Sequence, residues 1–165
     1  MGRADAPLAF GYNRALAPLV WAFAAIMALE LVLMHLLVSA LWSHVAALVL
    51  SAISLAALGW TITFARSLSR CPVLVDGEGV TMRVGSLKSV RVPAGNIAGL
   101  RTSWAREELK QPGVLNLALI NYPNIMLDLD PLLPRRKHPL TAVAHRLDDP
   151  AGFAAAIARL MEARA

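Results

Sequence analysis

Two long apolar runs constrain this chain more than any other feature of its sequence. They cover residues 16–38 and 45–65, and only the short segment 39–44 separates them. Crossing about 30 Å of hydrocarbon takes about 20 helical residues at a rise of about 1.5 Å per residue. Each run is long enough, and the two together contain a single carboxylate, Glu30. The sequence therefore predicts a transmembrane hairpin of two helices.

The arginines around the hairpin predict its orientation. Arg3 and Arg14 precede the first run, Arg66 and Arg70 follow the second, and the connecting segment contains neither lysine nor arginine. Because basic residues stay on the cytoplasmic side of a membrane, both termini are expected in the cytosol, with residues 1–15 as a cytosolic N-terminal segment. A cleaved signal is disfavoured, since a signal core has roughly 7–15 residues and here a second run follows at once.

Glu30 is the one ionisable side chain well inside the first run. A charged group is costly in hydrocarbon, so an intramembrane carboxylate is a functional hypothesis by default. Antiparallel pairing of the two runs brings Glu30 towards Ser51 and Ser54. A protonated Glu30 bonded to one of these serines, holding the helices together, is the favoured interpretation. The alternative is a small membrane enzyme or transport subunit that uses Glu30 with His35 or His44.

Small residues in the second run indicate close packing against another helix. Ala47 and Ser51, and likewise Ala52 and Ala56, are four residues apart, a spacing that lets helix backbones approach each other. The partner is the first run, a second copy in a homo-oligomer, or another membrane protein, and the pattern does not choose among these.

From Cys71 onwards the apolar pattern changes from helical to alternating. Turn residues separate short extended segments, and Asp149 followed by Pro150 is typical of a helix start. We therefore predict an α+β membrane protein, in which the hairpin precedes an antiparallel β domain over residues 71–165 that ends in an amphipathic helix at about 150–163. Seven strands are predicted, at residues 72–75, 80–84, 88–92, 97–103, 114–120, 125–130 and 141–147.

Three motifs carry a resemblance to a known family. They are Pro-Val-Leu-Val-Asp-Gly-Glu-Gly-Val at 72–80, Val-Pro leading to Asn-Ile within 92–97, and Leu-Asp-Asp-Pro-Ala-Gly-Phe at 147–153. Together with the hairpin, they resemble the bacterial pleckstrin-homology-like (PH-like) domain membrane proteins. The resemblance implies two orthogonal sheets capped by a helix, a location in the bacterial cytoplasmic (inner) membrane, and a role in interaction or assembly.

The chain from residue 66 onwards carries the whole net charge of +5, because it contains 14 of the 16 Lys and Arg but only 9 of the 11 Asp and Glu. A basic domain beside a bilayer is attracted to anionic headgroups by about 1 kcal/mol per Lys or Arg. A solvated loop is the alternative for each basic segment. The candidate lipid- or partner-binding residues are Arg135, Arg136 and Lys137 in one predicted loop and Arg101, Trp104 and Arg106 in another.

The sequence gives no sign of catalysis. It contains no recognisable nucleophile with a base, no metal-ligand spacing and no glycine-rich phosphate loop, so we expect no enzyme activity, no metal and no cofactor. No clustered basic helix or aromatic RNA-binding motif favours nucleic acid as a partner. The lone Cys71 cannot form an internal disulfide. The expected function is a membrane-anchored module for lipid or protein interaction.

Overall fold

A computed structural model describes residues 6–14, 16–119, 122–135 and 138–163. Two long helices form a hairpin, and two four-stranded sheets and a final helix form a β domain, in an α+β arrangement. The helices are α1 (Ala17–Leu41), α2 (His44–Arg70) and α3 (Pro150–Glu162). The strands are β1 (Leu8–Phe10), β2 (Val73–Asp76), β3 (Gly79–Val84), β4 (Lys88–Pro93), β5 (Ile97–Arg101), β6 (Val114–Asn116), β7 (Ile125–Leu133) and β8 (Leu140–His145), with 3₁₀ turns at Ala94–Asn96 and Glu108–Lys110.

The hairpin helices are long, apolar and largely exposed. With 25 and 27 residues, α1 and α2 are about 37 and 40 Å long at a rise of about 1.5 Å per residue. Their most apolar 18-residue windows have mean hydropathies of 2.2 and 2.1, and only 6% and 11% of those windows is buried. A core helix of a globular protein would be mostly buried. Both helices are therefore long and apolar enough to cross a membrane.

Both helices extend beyond the predicted runs. α1 continues three residues past 38 to Leu41, and α2 continues five residues past 65 to Arg70. Residues 66–70, which are polar apart from Leu68, resemble a loop in composition. They include no glycine or proline, however, and α2 ends only where Pro72 disfavours helical geometry in the preceding residue. Leu68, in this extension, is 2% exposed and belongs to the core of the β domain. The end of α2 is therefore part of that domain.

The first sheet contains one strand that was not predicted. Its order is β1-β2-β3-β4, with antiparallel neighbours throughout, and Leu8 pairs with Val75. Strand β1 comes from the N-terminal segment that the sequence analysis placed outside the domain. Its three residues lie between Pro7 and Gly11, which is too short a stretch for an alternating pattern to be visible. The hairpin is therefore an insertion between two neighbouring strands of one sheet.

The second sheet is mixed, where the prediction was antiparallel. Its order is β5-β7-β8-β6, and β6 runs parallel to β8, with Leu115 opposite Val143. A parallel neighbour needs a long connection. Here the connection from β6 passes through β7 before the chain returns as β8, so that β6 becomes an edge strand beside β8.

The core lies between the two sheets and beneath α3. Phe153 of α3 is fully buried, and its ring meets that of Phe10 edge-on at a centroid distance of 5.3 Å. Asp149 caps α3 by accepting the Gly152 N–H at 2.9 Å, as the sequence predicts, and α3 ends at Glu162, one residue before the predicted 163. The contact between Phe10 and Phe153 joins β1 to the C-terminal helix, and thus the two ends of the chain.

Candidate functional site

The β domain is fixed to the end of α2 by a small set of hydrogen bonds. The Tyr12 hydroxyl donates to the Cys71 carbonyl oxygen at 2.9 Å and accepts the Gly85 N–H at 2.6 Å. The Ser67 hydroxyl accepts the Ser86 N–H at 3.2 Å. Burial raises the pKa of Tyr12, so its hydroxyl remains a donor. The turn between β3 and β4, residues 85–87, is thereby held against α2.

Gly85 is required at this contact. Its φ is +49°, in the left-handed region that favours glycine, and an added Cβ would overlap the Ser67 hydroxyl and lie 3.3 Å from the Phe64 ring. A larger residue would separate the turn from α2.

His145 joins the two sheets at the same end of the domain. Its Nε2 donates to the Arg83 carbonyl oxygen on β3 at 2.9 Å, while its Nδ1 accepts the Arg146 N–H at 2.8 Å. The imidazole is 2% exposed and lies 5.0 Å from the Tyr12 ring, and burial lowers its pKa. Both ring nitrogens are engaged with backbone groups, so a neutral His145 with its proton on Nε2 serves as a structural link.

A surface concavity of the β domain lies where the edges of the two sheets face each other. Strand β4 is an edge of the first sheet and β6 an edge of the second, and between them lies a groove of about 400 Å³. We call it the basic groove. Its apolar floor contains Val90, Leu115, Leu133 and Leu140, and its rim contains Leu87, Lys88, Ser89, Arg91, Pro134 and Arg135.

Two cations on the rim are available to a ligand. Arg91 is already neutralised by Asp76 at 3.2 Å and Glu78 at 3.1 Å. Lys88 and Arg135 are exposed, and neither forms an ion pair within the described ranges. Lys88 lies on β4, and Arg135 follows β7 on the other side of the groove, so the two positive charges face the same space.

The predicted cluster around Arg101 is not part of this groove. The Arg101 guanidinium donates to Asp128 at 2.6 and 2.8 Å and to Glu108 at 2.9 Å. These carboxylates raise the pKa of Arg101, while hydrogen bonds from the Ala105 N–H and from Arg101 lower that of Glu108. The positive charge of Arg101 is thus compensated inside the domain.

Trp104 covers the outer face of the second sheet. Its ring packs against the small cluster of Met126, Ala142 and Ala144 and stacks on Tyr122 at 6.2 Å. Within the part of the chain that the structure describes, its buried Nε1 has no hydrogen-bond partner. Trp104 therefore belongs to the packing of the sheet.

The six predicted binding residues consequently do not form one site. Arg135 lies on the basic groove, Arg101 and Trp104 are engaged elsewhere, and Arg106 is exposed and does not line the groove. Arg136 and Lys137 lie outside the described residues.

Leu87 and Lys88 were not predicted as site residues. Their signal was a leucine followed by a lysine in the turn Gly-Ser-Leu-Lys at 85–88, but the groove forms only where β4 lies beside the end of β7, far away in sequence. Leu87 is 47% exposed at the end of the groove nearest α2.

A second groove, of about 240 Å³, lies on the hairpin and contains Glu30. Glu30 is exposed, and within residues 6–14, 16–119, 122–135 and 138–163 its carboxyl has no hydrogen-bond or ion-pair partner. Ser54 also lines this groove, but no hydrogen bond joins it to Glu30. We call this the Glu30 groove, and its remaining lining residues are Met27, Leu31, Met34, Leu50, Ile53 and Ala57.

Ser51, His35 and His44, three of the four predicted partners of Glu30, are paired with other groups. The Nδ1 of His35 hydrogen bonds to the Ser51 hydroxyl at 2.8 Å, so Ser51 is paired with His35 where a bond to Glu30 was expected. His44 pairs with the Ser39 hydroxyl. Neither histidine lines the Glu30 groove.

The small residues of α2 divide between two faces. Ala47 is completely buried against α1, whereas Ala52, Ala56 and Gly59 are exposed on the far side of α2. An added Cβ on Gly59 would meet nothing within 4 Å. Only the face that includes Ala47 is used within the chain.

In the described residues, no group of three or more His, Cys, Asp or Glu is arranged to hold a metal ion. Comparisons with protein-family models, with curated proteins and with solved structures found no match.

Proposed function

We propose that this chain is a non-enzymatic, membrane-anchored interaction module of the PH-like type. In this proposal the hairpin crosses the bacterial cytoplasmic membrane with both termini in the cytosol. Two sheets followed by a C-terminal helix agree with what the resemblance implies, and exposed apolar helices about 37 and 40 Å long agree with spanning.

The ligand that we propose for the basic groove is the phosphate-bearing headgroup of an anionic lipid in the same membrane. The supporting observation is the attachment of the β3–β4 turn to α2. Trp60 stacks on Phe64 at 5.8 Å near the end of the apolar run 45–65, and a tryptophan near the end of a membrane span favours the membrane interface. Ser67, which holds the turn, follows Trp60 by seven residues, or about 10 Å of helix. The Leu87 end of the groove thus lies close to the headgroups.

The chemistry of the groove suits a phosphate. Lys88 and Arg135 lack ion-pair partners among the described residues, and an apolar floor lies beneath them. Apolar walls lower the local dielectric constant, which strengthens an ion pair with a bound anion. Arg136 and Lys137 are two further cations that follow Arg135 directly in sequence. A headgroup tethered in the same membrane is also present at high effective concentration.

The test is lipid retention by the full chain in nanodiscs that contain either zwitterionic lipid alone or a mixture with anionic phosphatidylglycerol, measured by native mass spectrometry. Lys88→Glu combined with Arg135→Glu should lower retention of the anionic lipid at least roughly twentyfold, since each Lys or Arg contributes about 1 kcal/mol.

The matched control is Arg106→Glu combined with Lys110→Glu, which makes the same change of charge at two exposed residues outside the groove. An equal loss in both double variants would indicate general attraction to the surface and contradict a site in the groove. No preference for anionic lipid in the unmodified chain would also contradict the proposal, and an acidic peptide would then be the ligand to titrate.

Glu30→Gln separates this proposal from the alternative of a membrane enzyme or transport subunit. The glutamine should leave lipid retention unchanged, because Glu30 lies on the hairpin and does not line the basic groove.

A further inference from the structure

Glu30 has no satisfactory environment within a single copy of this chain. It lies near the middle of α1, and its exposed carboxyl faces a groove that is apolar apart from Ser54. In hydrocarbon no water is present to replace a missing hydrogen bond, so an unpaired polar group is costly. Among the described residues, His35 already holds Ser51, and Ser54 lines the groove without a hydrogen bond to Glu30. The group that satisfies Glu30 must therefore come from outside the chain.

We propose that the Glu30 groove is the docking surface for a second copy of this chain, in a parallel dimer in which the two Glu30 carboxyls meet. This inference rests on the membrane insertion that forms part of the proposed function, but it does not depend on the basic groove.

Membrane orientation is the reason for choosing a second copy. The same arginines orient every copy in the same way, so equivalent residues lie at equal depth in the bilayer. A two-fold axis along the membrane normal then brings Glu30 against the Glu30 of the second copy, with both Ser54 hydroxyls at that level. Two protonated carboxyls each donate one hydrogen bond and accept one, so the surface complements itself.

The walls of the groove suit such a contact. Met27 and Met34 lie one helical turn before and after Glu30 on α1, and Leu31 is beside it. Methionine is unbranched and flexible, so it adapts to the shape of an opposing helix. On α2, Ala57 leaves space at the groove beside Ser54. A polar centre between adaptable apolar walls suits the packing of two hairpins against each other.

This surface differs from the small-residue face that the sequence analysis considered. Ala52, Ala56 and Gly59 are exposed on α2 but do not line the Glu30 groove. At about 100° per residue they lie on the side of α2 opposite Ser54 and Ala57. Cross-linking can therefore separate dimerisation through Glu30 from dimerisation through the small residues.

The first experiment counts subunits. The full chain, labelled with one fluorophore, is diluted into lipid bilayers and examined by single-molecule photobleaching over a range of protein-to-lipid ratios. Glu30→Gln should still dimerise, because two amides also form reciprocal hydrogen bonds. Glu30→Leu should raise the dimer dissociation constant by roughly three- to thirtyfold, the range for one interhelical hydrogen-bonded contact. Glu30→Lys should be monomeric alone and should pair with the unmodified chain.

The second experiment locates the interface. In a Cys71→Ser background, Met34→Cys should cross-link between copies, whereas Leu36→Cys, 61% exposed on another face of α1, should not. Dimers that are insensitive to Glu30→Leu, or that cross-link through Ala56→Cys but not Met34→Cys, would overturn the proposal. Chains that enter the bilayer but remain monomeric would overturn only the proposed dimer. A chain that fails to enter the bilayer would overturn the proposed function as well.

Discussion

The hairpin and the β domain are both rich in large apolar side chains, but they place them in opposite ways. In the β domain Met82, Ile125 and Leu127 are completely buried, whereas in the hairpin Leu29 is 62% exposed and Ile53 is 63% exposed. Water drives the first arrangement, because burial removes apolar surface from it. In the membrane location that we propose for the hairpin, this drive is absent, and helices associate through close packing and hydrogen bonds. In that location, polar groups carry more of the specificity in the hairpin than in the domain.

The largest expected effect distinguishes the two regions directly. Phe153→Ala should lower the free energy of unfolding of the β domain by about 3–5 kcal/mol, because it empties a fully enclosed site beside Phe10. Leu29→Ala should change this free energy by no more than about 0.5 kcal/mol, since the Leu29 side chain is mostly exposed. Urea titration of the full chain in nanodiscs, followed by amide hydrogen exchange, measures both. Similar losses would mean that the outward face of α1 is packed.

A smaller effect is expected where the two regions join. Tyr12→Phe removes the hydroxyl that links Cys71 to Gly85, leaves the buried Gly85 N–H unpaired, and should destabilise the domain by about 1–3 kcal/mol. Hydrogen exchange at Gly85 and Ser86 should rise most. Tyr122→Phe is the matched control, because Tyr122 is 48% exposed and its hydroxyl makes no hydrogen bond within the part of the chain that the structure describes. Equal effects of the two variants would contradict the role given to Tyr12.

His145 should make the stability of the β domain dependent on pH. Burial lowers its pKa in the folded state below the ordinary value of 6.5. The unfolded chain therefore takes up a proton first, and stability present above about pH 6.5 should decrease as the pH falls from there towards the folded-state pKa. Urea titrations at pH 8, 6.5 and 5 test this. His145→Gln stays neutral and should remove that decrease, so an unchanged slope in the variant would assign it to another group.

The smallest effect is expected at Arg101. Its charge is compensated by Asp128 and Glu108, so Arg101→Gln should leave the retention of anionic lipid within about twofold of the unmodified chain, less than one Lys or Arg contributes at a membrane surface. Arg135→Gln, which removes the same charge from the basic groove, should reduce retention more. A larger loss of lipid retention in Arg101→Gln would indicate that Arg101 belongs to the binding surface.

Local patterns predicted the elements whose stability depends on neighbouring residues in sequence. The two long helices and the start of α3 at Asp149 and Pro150 follow from apolar length and from capping, and both are confirmed. Strand β1 and the parallel position of β6 were not predicted, because each depends on a partner far away in the chain.

The candidate sites show the same limit. Glu30 and Ser54 were correctly placed at one level of the hairpin, but the bond from His35 to Ser51 depends on helix rotation that apolar length does not encode. Lys88 and Arg135 are 47 positions apart, and only the meeting of two sheet edges brings them to one groove. Arg101 appeared free in sequence because Asp128 lies on another strand.

The position of β1 has a consequence for biosynthesis. Strands β1 and β2 are neighbours in one sheet, yet the whole hairpin separates them along the chain. For a chain inserted as proposed, a single crossing would leave β1 on one side of the bilayer and β2 on the other, and the sheet could not close. Completion of the β domain is therefore conditional on two completed crossings. In chains that have entered the bilayer, a protease-resistant β domain would report that both spans have been integrated.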